Sequence, residues 1–170
     1  MPEKTPLLKP FDRRPWPTVG DRELDTTYAA VGRALSSWER YEGVLSLLFS
    51  ALVVNMERVG ARRAYVAVRT FEGRAEMLKA ASEGYFHEHP NEKFLNDFKE
   101  ILKAAKNFAS RRNDIAHGVV DYFSITMETD LRQPGGGFAM FPSYASFKDR
   151  SIENRPDYCY TSVELSFGCR

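Results

Sequence analysis

Helical periodicity governs most of this 170-residue chain. From Asp21 to Gly118, apolar residues recur at intervals of three and four positions, which is the spacing that places side chains on one face of an α-helix. Gly60 is a natural helix stop, and Pro90 can open a new helix because proline is tolerated in a first turn. The sequence therefore predicts three long helices, over residues 21–59, 61–86 and 90–118, with Asp21 as the first N-cap.

Proline marks residues 1–20 as a separate N-terminal arm. Five prolines before Thr18 exclude a helix there and favour an extended, partly polyproline-like conformation. Phe11 and Trp16 are apolar enough to dock this arm on a neighbouring surface as a strap, although a disordered tail fits the composition equally well. Residues 21–170 are expected to form a single helical domain.

The sequence pattern changes after Gly118 from helical spacing to alternation. Residues 119–129 alternate loosely, residues 134–137 are typical of a turn, and residues 138–147 are aromatic and alternating, so a short hairpin or extended excursion is expected. Near the end, Thr161 and Glu164 fit a capping box, with Tyr160 and Leu165 placed as its hydrophobic staple. The predicted fold is therefore mainly α: an antiparallel bundle of three long helices, a short hairpin excursion and a truncated C-terminal helix.

Composition excludes several classes of protein. A net charge of +1 gives no global basic field, so any binding of RNA or a nucleotide needs a local patch. Cys159 and Cys169 have neither metal-ligand nor redox spacing, and free thiols are typical of a reducing cytosol. No secretory signal is visible, and the longest apolar run, residues 44–54, is too short to span a bilayer. We expect a cytoplasmic protein without membrane, metal or cofactor.

The candidate site lies at the end of the third helix, where Arg112 and His117 stand five positions apart. An arginine can stabilise negative charge on a phosphate, and a histidine can move protons near neutral pH. One polar stripe of this helix is basic at its start and ends in an amide and the imidazole; it comprises Lys99, Lys103, Lys106, Ser110, Asn113 and His117. The apolar stripe comprises Phe94, Phe98, Ile101, Ala105, Phe108, Arg112 and Ile115.

Arg112 therefore falls in the core-facing register, where an unpaired charge would cost several kcal/mol. Glu42 interrupts the apolar stripe of the first helix in the same way, so an Arg112–Glu42 contact is the preferred expectation; Glu39, Glu72 and Glu76 are the other candidate partners of Arg112. Five helical steps separate Arg112 from His117 by roughly 140°, so two copies of the helix bring both groups to one phosphate more readily than one copy does. A purely structural role for the pair fits the residue types as well.

The run Arg112-Asn113-Asp114-Ile115-Ala116-His117-Gly118 resembles the signature of the HEPN domain (higher eukaryotes and prokaryotes nucleotide-binding). That signature is an arginine followed by a polar residue, with a histidine after four to six intervening positions. The similarity covers about residues 21–165, and the aromatic segments around Phe141 and Tyr158 are similar to poorly characterised bacterial members. The short final helix departs from the family pattern.

The resemblance implies a homodimer in which two motifs form one metal-independent ribonuclease site without cofactors. His117 is then the general acid or base, Arg112 stabilises the transition state, and Asn113 orients the imidazole or a phosphate oxygen. Lys103, Lys106 and Ser110 are the candidate RNA-binding residues, and Glu42 and Asp114 the supporting ones. The alternatives are a module that binds a nucleotide, RNA or an antitoxin-like protein without cleavage, and a structural helical oligomer.

Overall fold

A computed structural model describes residues 12, 16–53, 58–125, 135–143 and 156–167. Within these residues the protein is mainly helical, with one antiparallel hairpin and a short C-terminal helix, as the sequence predicts. The elements in chain order are α1 Leu24–Val53, α2 Arg58–Ala67, α3 Phe71–Glu88, α4 Glu92–Ala116, β1 Gly118–Ile125, β2 Gly135–Pro142 and α5 Ser162–Phe167.

The predicted second helix is divided into two. α2 ends at Ala67 and α3 begins at Phe71, with Thr70 as its N-cap: the Thr70 side chain accepts a hydrogen bond from the Gly73 N–H at 3.1 Å. A capping threonine satisfies one of the unpaired N–H groups at a helix start, so it fixes a boundary inside a continuous apolar pattern. Gly60 lies inside α2, and its prediction as a helix stop is wrong.

The chain forms two compact units, which we describe separately. The sheet unit contains the described residues up to Ser36 and from Arg111 onward, and the helical unit contains those from Ser37 to Ser110. The prediction of one domain over residues 21–170 stays a prediction. In the helical unit, four helices contribute to one apolar cluster, as expected of a helical bundle; its buried members are Leu45, Phe49, Tyr65, Leu78, Phe98 and Leu102.

The sheet unit is organised around β2. One edge of β2 pairs with β1 along its whole length. On the other edge, Phe138 exchanges two backbone hydrogen bonds with Asp21, both 2.8 Å, and Met140 exchanges two with Tyr160, at 2.8 and 2.9 Å. Residues from both ends of the described chain thus add to the hairpin, so β2 is the central strand among the described residues.

The glycine run that predicted a turn belongs to strand β2. Gly137 has φ +143°, and a Cβ added to it would lie 2.6 Å from the carbonyl carbon of Gly20. Both the conformation and the close approach therefore require glycine at position 137. The connection between β1 and β2 lies outside the described residues.

Trp16 docks the N-terminal arm on the hairpin, which confirms part of the strap prediction; Phe11 lies outside the described residues. The Trp16 indole N–H donates to the Pro156 carbonyl at 3.2 Å, and its ring packs edge-on against Phe123. Cys159 lies in the same apolar cluster with a free thiol. Burial, with a smaller contribution from the Glu164 charge, raises the pKa of this thiol to about 12. Cys169 is not among the described residues.

Asp21 caps the C-terminal helix instead of α1, which begins at Leu24. Its carboxylate accepts hydrogen bonds from the backbone N–H of Ser162 (2.8 Å), the Ser162 hydroxyl (2.6 Å) and the Thr27 hydroxyl (2.6 Å). The predicted capping box of α5 is also present, since the Thr161 N–H donates to Glu164 Oε2 at 2.7 Å. Together these bonds anchor a helix of only six residues, which would be marginal alone.

Replacement of Asp21 with alanine is expected to lower the free energy of unfolding by about 2–4 kcal/mol, because it removes three hydrogen bonds to one carboxylate, one of which caps α5. Urea unfolding followed by circular dichroism measures this. The matched control is Asp25→Ala, which removes an exposed carboxylate in the first turn of α1 and should cost less than about 1 kcal/mol. Equal losses in both variants would contradict the capping role.

Candidate functional site

The motif spans the end of α4 and the first residue of β1. Arg112 and Asn113 lie in the last turns of α4, and His117 occupies the turn that follows. The His117 N–H donates to the Asn113 carbonyl at 3.1 Å, and the His117 carbonyl accepts from the Ser143 N–H at 3.2 Å. The backbone of His117 is therefore held from both sides, while its side chain is exposed.

Gly118 allows this turn to pack closely against β2. A Cβ at position 118 would lie 2.8 Å from both the Cγ and the Sδ of Met140, and Met140 is buried in the main apolar cluster of the sheet unit. Gly118 is the first residue of β1 and does not cap α4. Gly118 therefore permits the close contact with Met140, whereas the His117 side chain faces solvent.

The arginine buried at the end of α4 is Arg111, where the apolar pattern predicts Arg112. Arg111 is 9% exposed, and its Nη1 donates a hydrogen bond to the hydroxyl of Tyr160. Its guanidinium carbon lies 3.5 Å from the centroid of the Tyr160 ring, in a cation–π contact. Arg112 is only partly buried. The position on α4 that carries a charge into the core is thus one residue earlier than predicted.

The predicted apolar stripe of α4 is wrong at two further positions. Phe94 is 63% exposed and Ile101 is 51% exposed, although both were expected in the core. The buried residues of α4 are Phe98, Leu102, Ala105, Ala109, Arg111 and Ile115. Phe98, Ala105 and Ile115 are buried as predicted, whereas Leu102 and Ala109 take the places expected for Ile101 and Phe108.

Asp114 joins the same network as Arg111. The Tyr160 hydroxyl donates to Asp114 Oδ2 at 3.1 Å, and the Tyr158 hydroxyl donates to the Asp114 carbonyl at 2.8 Å. The rings of Tyr158 and Tyr160 are stacked, with centroids 4.7 Å apart. Sequence reasoning missed Tyr160 as the partner of both charged residues; its only sequence signal was its place in the hydrophobic staple.

The other polar side chains of the motif are those of Arg112, which is partly buried, and of Asn113 and His117. Arg112 Nη1 donates a hydrogen bond to Asn113 Oδ1 at 3.3 Å, so the structure brings these two side chains together. Asn113 and His117 are both exposed. The Arg112–Asn113 pair can offer a phosphate several donors, and the exposed imidazole of His117 is the titratable group of the motif.

The predicted RNA-binding residues Lys103, Lys106 and Ser110 belong to the helical unit, and all three are exposed. Lys106 donates to Glu76 Oε1 at 2.7 Å. This hydrogen bond raises the pKa of Lys106 and lowers the pKa of Glu76. Part of the Lys106 charge is therefore compensated locally, and Lys103 is the stronger candidate for contact with a phosphate.

Glu42, the predicted partner of Arg112, is buried in the helical unit and forms an ion pair with Arg74, whose Nη2 donates to its Oε1 at 2.9 Å. Burial, followed by the Glu42 charge, raises the pKa of Tyr41 and of the buried Tyr65. The sequence did not identify Arg74 as the partner of Glu42. Arg74 lies after the boundary between α2 and α3, which the apolar spacing does not show. Glu42 and Arg112 belong to different units, so their contact stays a prediction.

Among the described residues, no group of three or more histidine, cysteine, aspartate or glutamate side chains is placed to hold a metal ion. The described helices include none with the length and apolar character needed to cross a membrane. Comparison with known proteins gives no matching family model, and no curated protein or solved structure is significantly similar to the chain. The resemblance to the HEPN domain therefore rests on the motif, and membership of that family stays a prediction.

Proposed function

We propose that this protein cleaves RNA without a metal ion, using Arg112, Asn113 and His117 from two copies of the chain that meet as a homodimer. The observation that carries the proposal is the division of the motif into two sets. Arg111 and Asp114 are bound to Tyr160 and serve the fold, whereas Arg112 is hydrogen-bonded to Asn113, and the Asn113 and His117 side chains are exposed. The second set has the chemistry that phosphoryl transfer needs.

The proposed reaction is attack of a ribose 2′-hydroxyl on the adjacent phosphorus. His117 accepts the 2′-hydroxyl proton, or donates a proton to the departing 5′ oxygen, as the bond between phosphorus and that oxygen breaks. Arg112 stabilises the negative charge on the non-bridging oxygens, and Asn113 orients the imidazole or binds one of these oxygens. The products are a 2′,3′-cyclic phosphate and a 5′-hydroxyl, and no water or oxidant is consumed in this step.

Two copies are proposed because the chemistry needs a guanidinium group and an imidazole around one phosphate. A two-fold arrangement supplies two imidazoles and two guanidinium groups. Arg112 lies within α4 and His117 beyond its end, so their side chains leave the backbone in different places. A second chain offers the complementary group from the opposite side.

The test is incubation of labelled RNA with the full chain in excess EDTA, followed by analysis of the product ends. We expect cleavage with 2′,3′-cyclic phosphate and 5′-hydroxyl ends, and its loss in Arg112→Ala with little change in melting temperature. Equal cleavage by the parent and Arg112→Ala would contradict the proposal. A sharp fall in the melting temperature of Arg112→Ala, with no stabilisation of the parent by RNA, would indicate the structural role instead.

A further inference from the structure

Helix α2 and the residues after it form a basic segment of the helical unit. From Arg58 to Phe71 the sequence contains four arginines and no acidic residue, although the whole chain has a net charge of only +1. This concentration of charge lies outside the motif, in the helical unit. It is a local patch of the kind that a nearly neutral protein needs in order to bind a polyanion.

Three arginines of this segment have no ion-pair partner among the described residues. Arg62, Arg63 and Arg69 are exposed, and none of them makes a hydrogen bond or ion pair with any residue in the described part of the chain. Other basic residues of the helical unit behave differently: Arg74 pairs with Glu42, and Lys106 pairs with Glu76. Arg62, Arg63 and Arg69 are therefore exposed cations without an ion-pair partner in the described part of the chain.

α2 is anchored so that this charge faces outward. Tyr65 is 1% exposed and packs its ring against Phe49, with centroids 5.5 Å apart, which fixes the inner face of the helix. Helical geometry places Val59, Arg63 and Val66 on the opposite face. Val59 and Val66 are 71% and 60% exposed. We call the exposed residues Val59, Arg62, Arg63, Val66 and Arg69 the α2 surface.

We propose that the α2 surface binds the sugar–phosphate backbone of RNA and supplies affinity separate from the chemistry of Arg112 and His117. A guanidinium group presents a planar set of donors that pairs with two phosphate oxygens at once. Because no carboxylate has to be displaced, the whole charge of each arginine is available for release of counterions from the RNA. The choice of RNA rests on the proposed function; the site itself consists of different residues.

An anionic membrane is the main competing polyanion, and the composition of α2 disfavours it. Helices that lie in a membrane interface bury a broad apolar face rich in tryptophan, phenylalanine or leucine. The outer face of α2 carries only Val59 and Val66 as large apolar residues, on a helix of ten residues. Charge without an apolar face favours a soluble polyanion over a lipid surface.

The test is the salt dependence of RNA binding. The probe is a fluorescein-labelled 2′-O-methyl oligouridylate, which lacks the attacking hydroxyl and so reports binding without cleavage. In the triple variant Arg62→Gln, Arg63→Gln, Arg69→Gln, we expect affinity at low salt to fall about 10-fold or more. The slope of log affinity against log salt should decrease in magnitude by about 2, since each phosphate contact on a single strand contributes about 0.7.

The matched control removes the same total charge elsewhere through Arg22→Gln, Arg33→Gln and Arg40→Gln, which alter three other exposed arginines. This control should keep the affinity and slope of the parent. An unchanged α2 variant, or equal losses in both variants, would overturn the inference. Binding to phosphatidylserine vesicles that depends on the α2 arginines, with RNA binding unaffected by them, would also overturn it and indicate a membrane surface.

The outcomes separate this inference from the proposed function. If the parent cleaves RNA through Arg112 and His117 while the α2 variant binds the probe as tightly as the parent, only the α2 inference fails. If the α2 variant loses binding while Arg112→Ala and His117→Ala cleave like the parent, only the proposed catalytic function fails. Absence of any RNA binding by the parent would overturn both.

Discussion

Alanine at position 117 is expected to slow RNA cleavage by about 10²–10⁴-fold, which is the range that a positioned general acid or base contributes. The His117 side chain is exposed, and its backbone is held by hydrogen bonds to Asn113 and Ser143. Removing the imidazole should therefore change the chemistry without disturbing the turn. Single-turnover cleavage of labelled RNA, with the melting temperature measured alongside, tests both parts of this expectation.

The matched control is His89→Ala, which removes another exposed imidazole. His89 follows α3 and stacks on the Tyr85 ring, with centroids 4.6 Å apart, so it lies outside the motif. We expect this variant to cleave RNA at the rate of the parent. If His89→Ala and His117→Ala have the same effect, or if neither changes the rate, the role assigned to His117 is wrong.

The largest expected effect on stability is that of Tyr160→Ala, about 3–5 kcal/mol in the free energy of unfolding. The Tyr160 side chain is fully buried and packs in the main apolar cluster of the sheet unit. It also covers the guanidinium group of Arg111 and donates a hydrogen bond to Asp114. Its loss creates a cavity and also removes partners from a buried charge, which adds to the cost. Urea unfolding measures the change.

Tyr160→Phe separates the contribution of the hydroxyl to stability from that of the ring, and Tyr122→Ala is the control. Tyr160→Phe keeps the ring and removes the hydroxyl shared by Arg111 and Asp114, so a smaller loss of about 1–3 kcal/mol is expected. Tyr122→Ala removes an exposed tyrosine of β1 and should cost about 1 kcal/mol or less. A Tyr160→Ala protein as stable as Tyr122→Ala would contradict the structural network described at the end of α4.

The elements that could be predicted from the sequence are those specified by local patterns. The three- and four-residue spacing locates the helical regions, and the alternating residues locate the hairpin. Thr161 and Glu164 predict the start of α5 because both residues of a capping box lie within one turn. Asp21 carries a similar cap signal, but its partner Ser162 is 141 residues away in sequence. A local pattern identifies a capping residue and leaves open which helix it caps.

The register of α4 shows why the site was only partly predictable. Apolar residues occur in adjacent pairs at Ile101–Leu102 and Phe108–Ala109, and the arginines are likewise adjacent at 111 and 112. At each pair, either member fits the three- and four-residue spacing. Packing buries Leu102 rather than Ile101 and Arg111 more deeply than Arg112, and Tyr160 approaches Arg111 from a distant part of the sequence. Sequence spacing identifies the motif, whereas tertiary contacts decide which arginine serves the fold.

The central claim, a site shared by two chains, is tested most directly by complementation. Arg112→Ala and His117→Ala chains carrying different affinity tags are co-expressed, and the mixed dimer is purified through both tags. Each chain in this dimer keeps the group that the other lacks, so Arg112 of one copy can act with His117 of the other. We predict RNA cleavage by the mixed dimer well above that of either variant alone. A mixed dimer as inactive as its parents, under conditions where the unsubstituted protein cleaves RNA, would contradict a shared site.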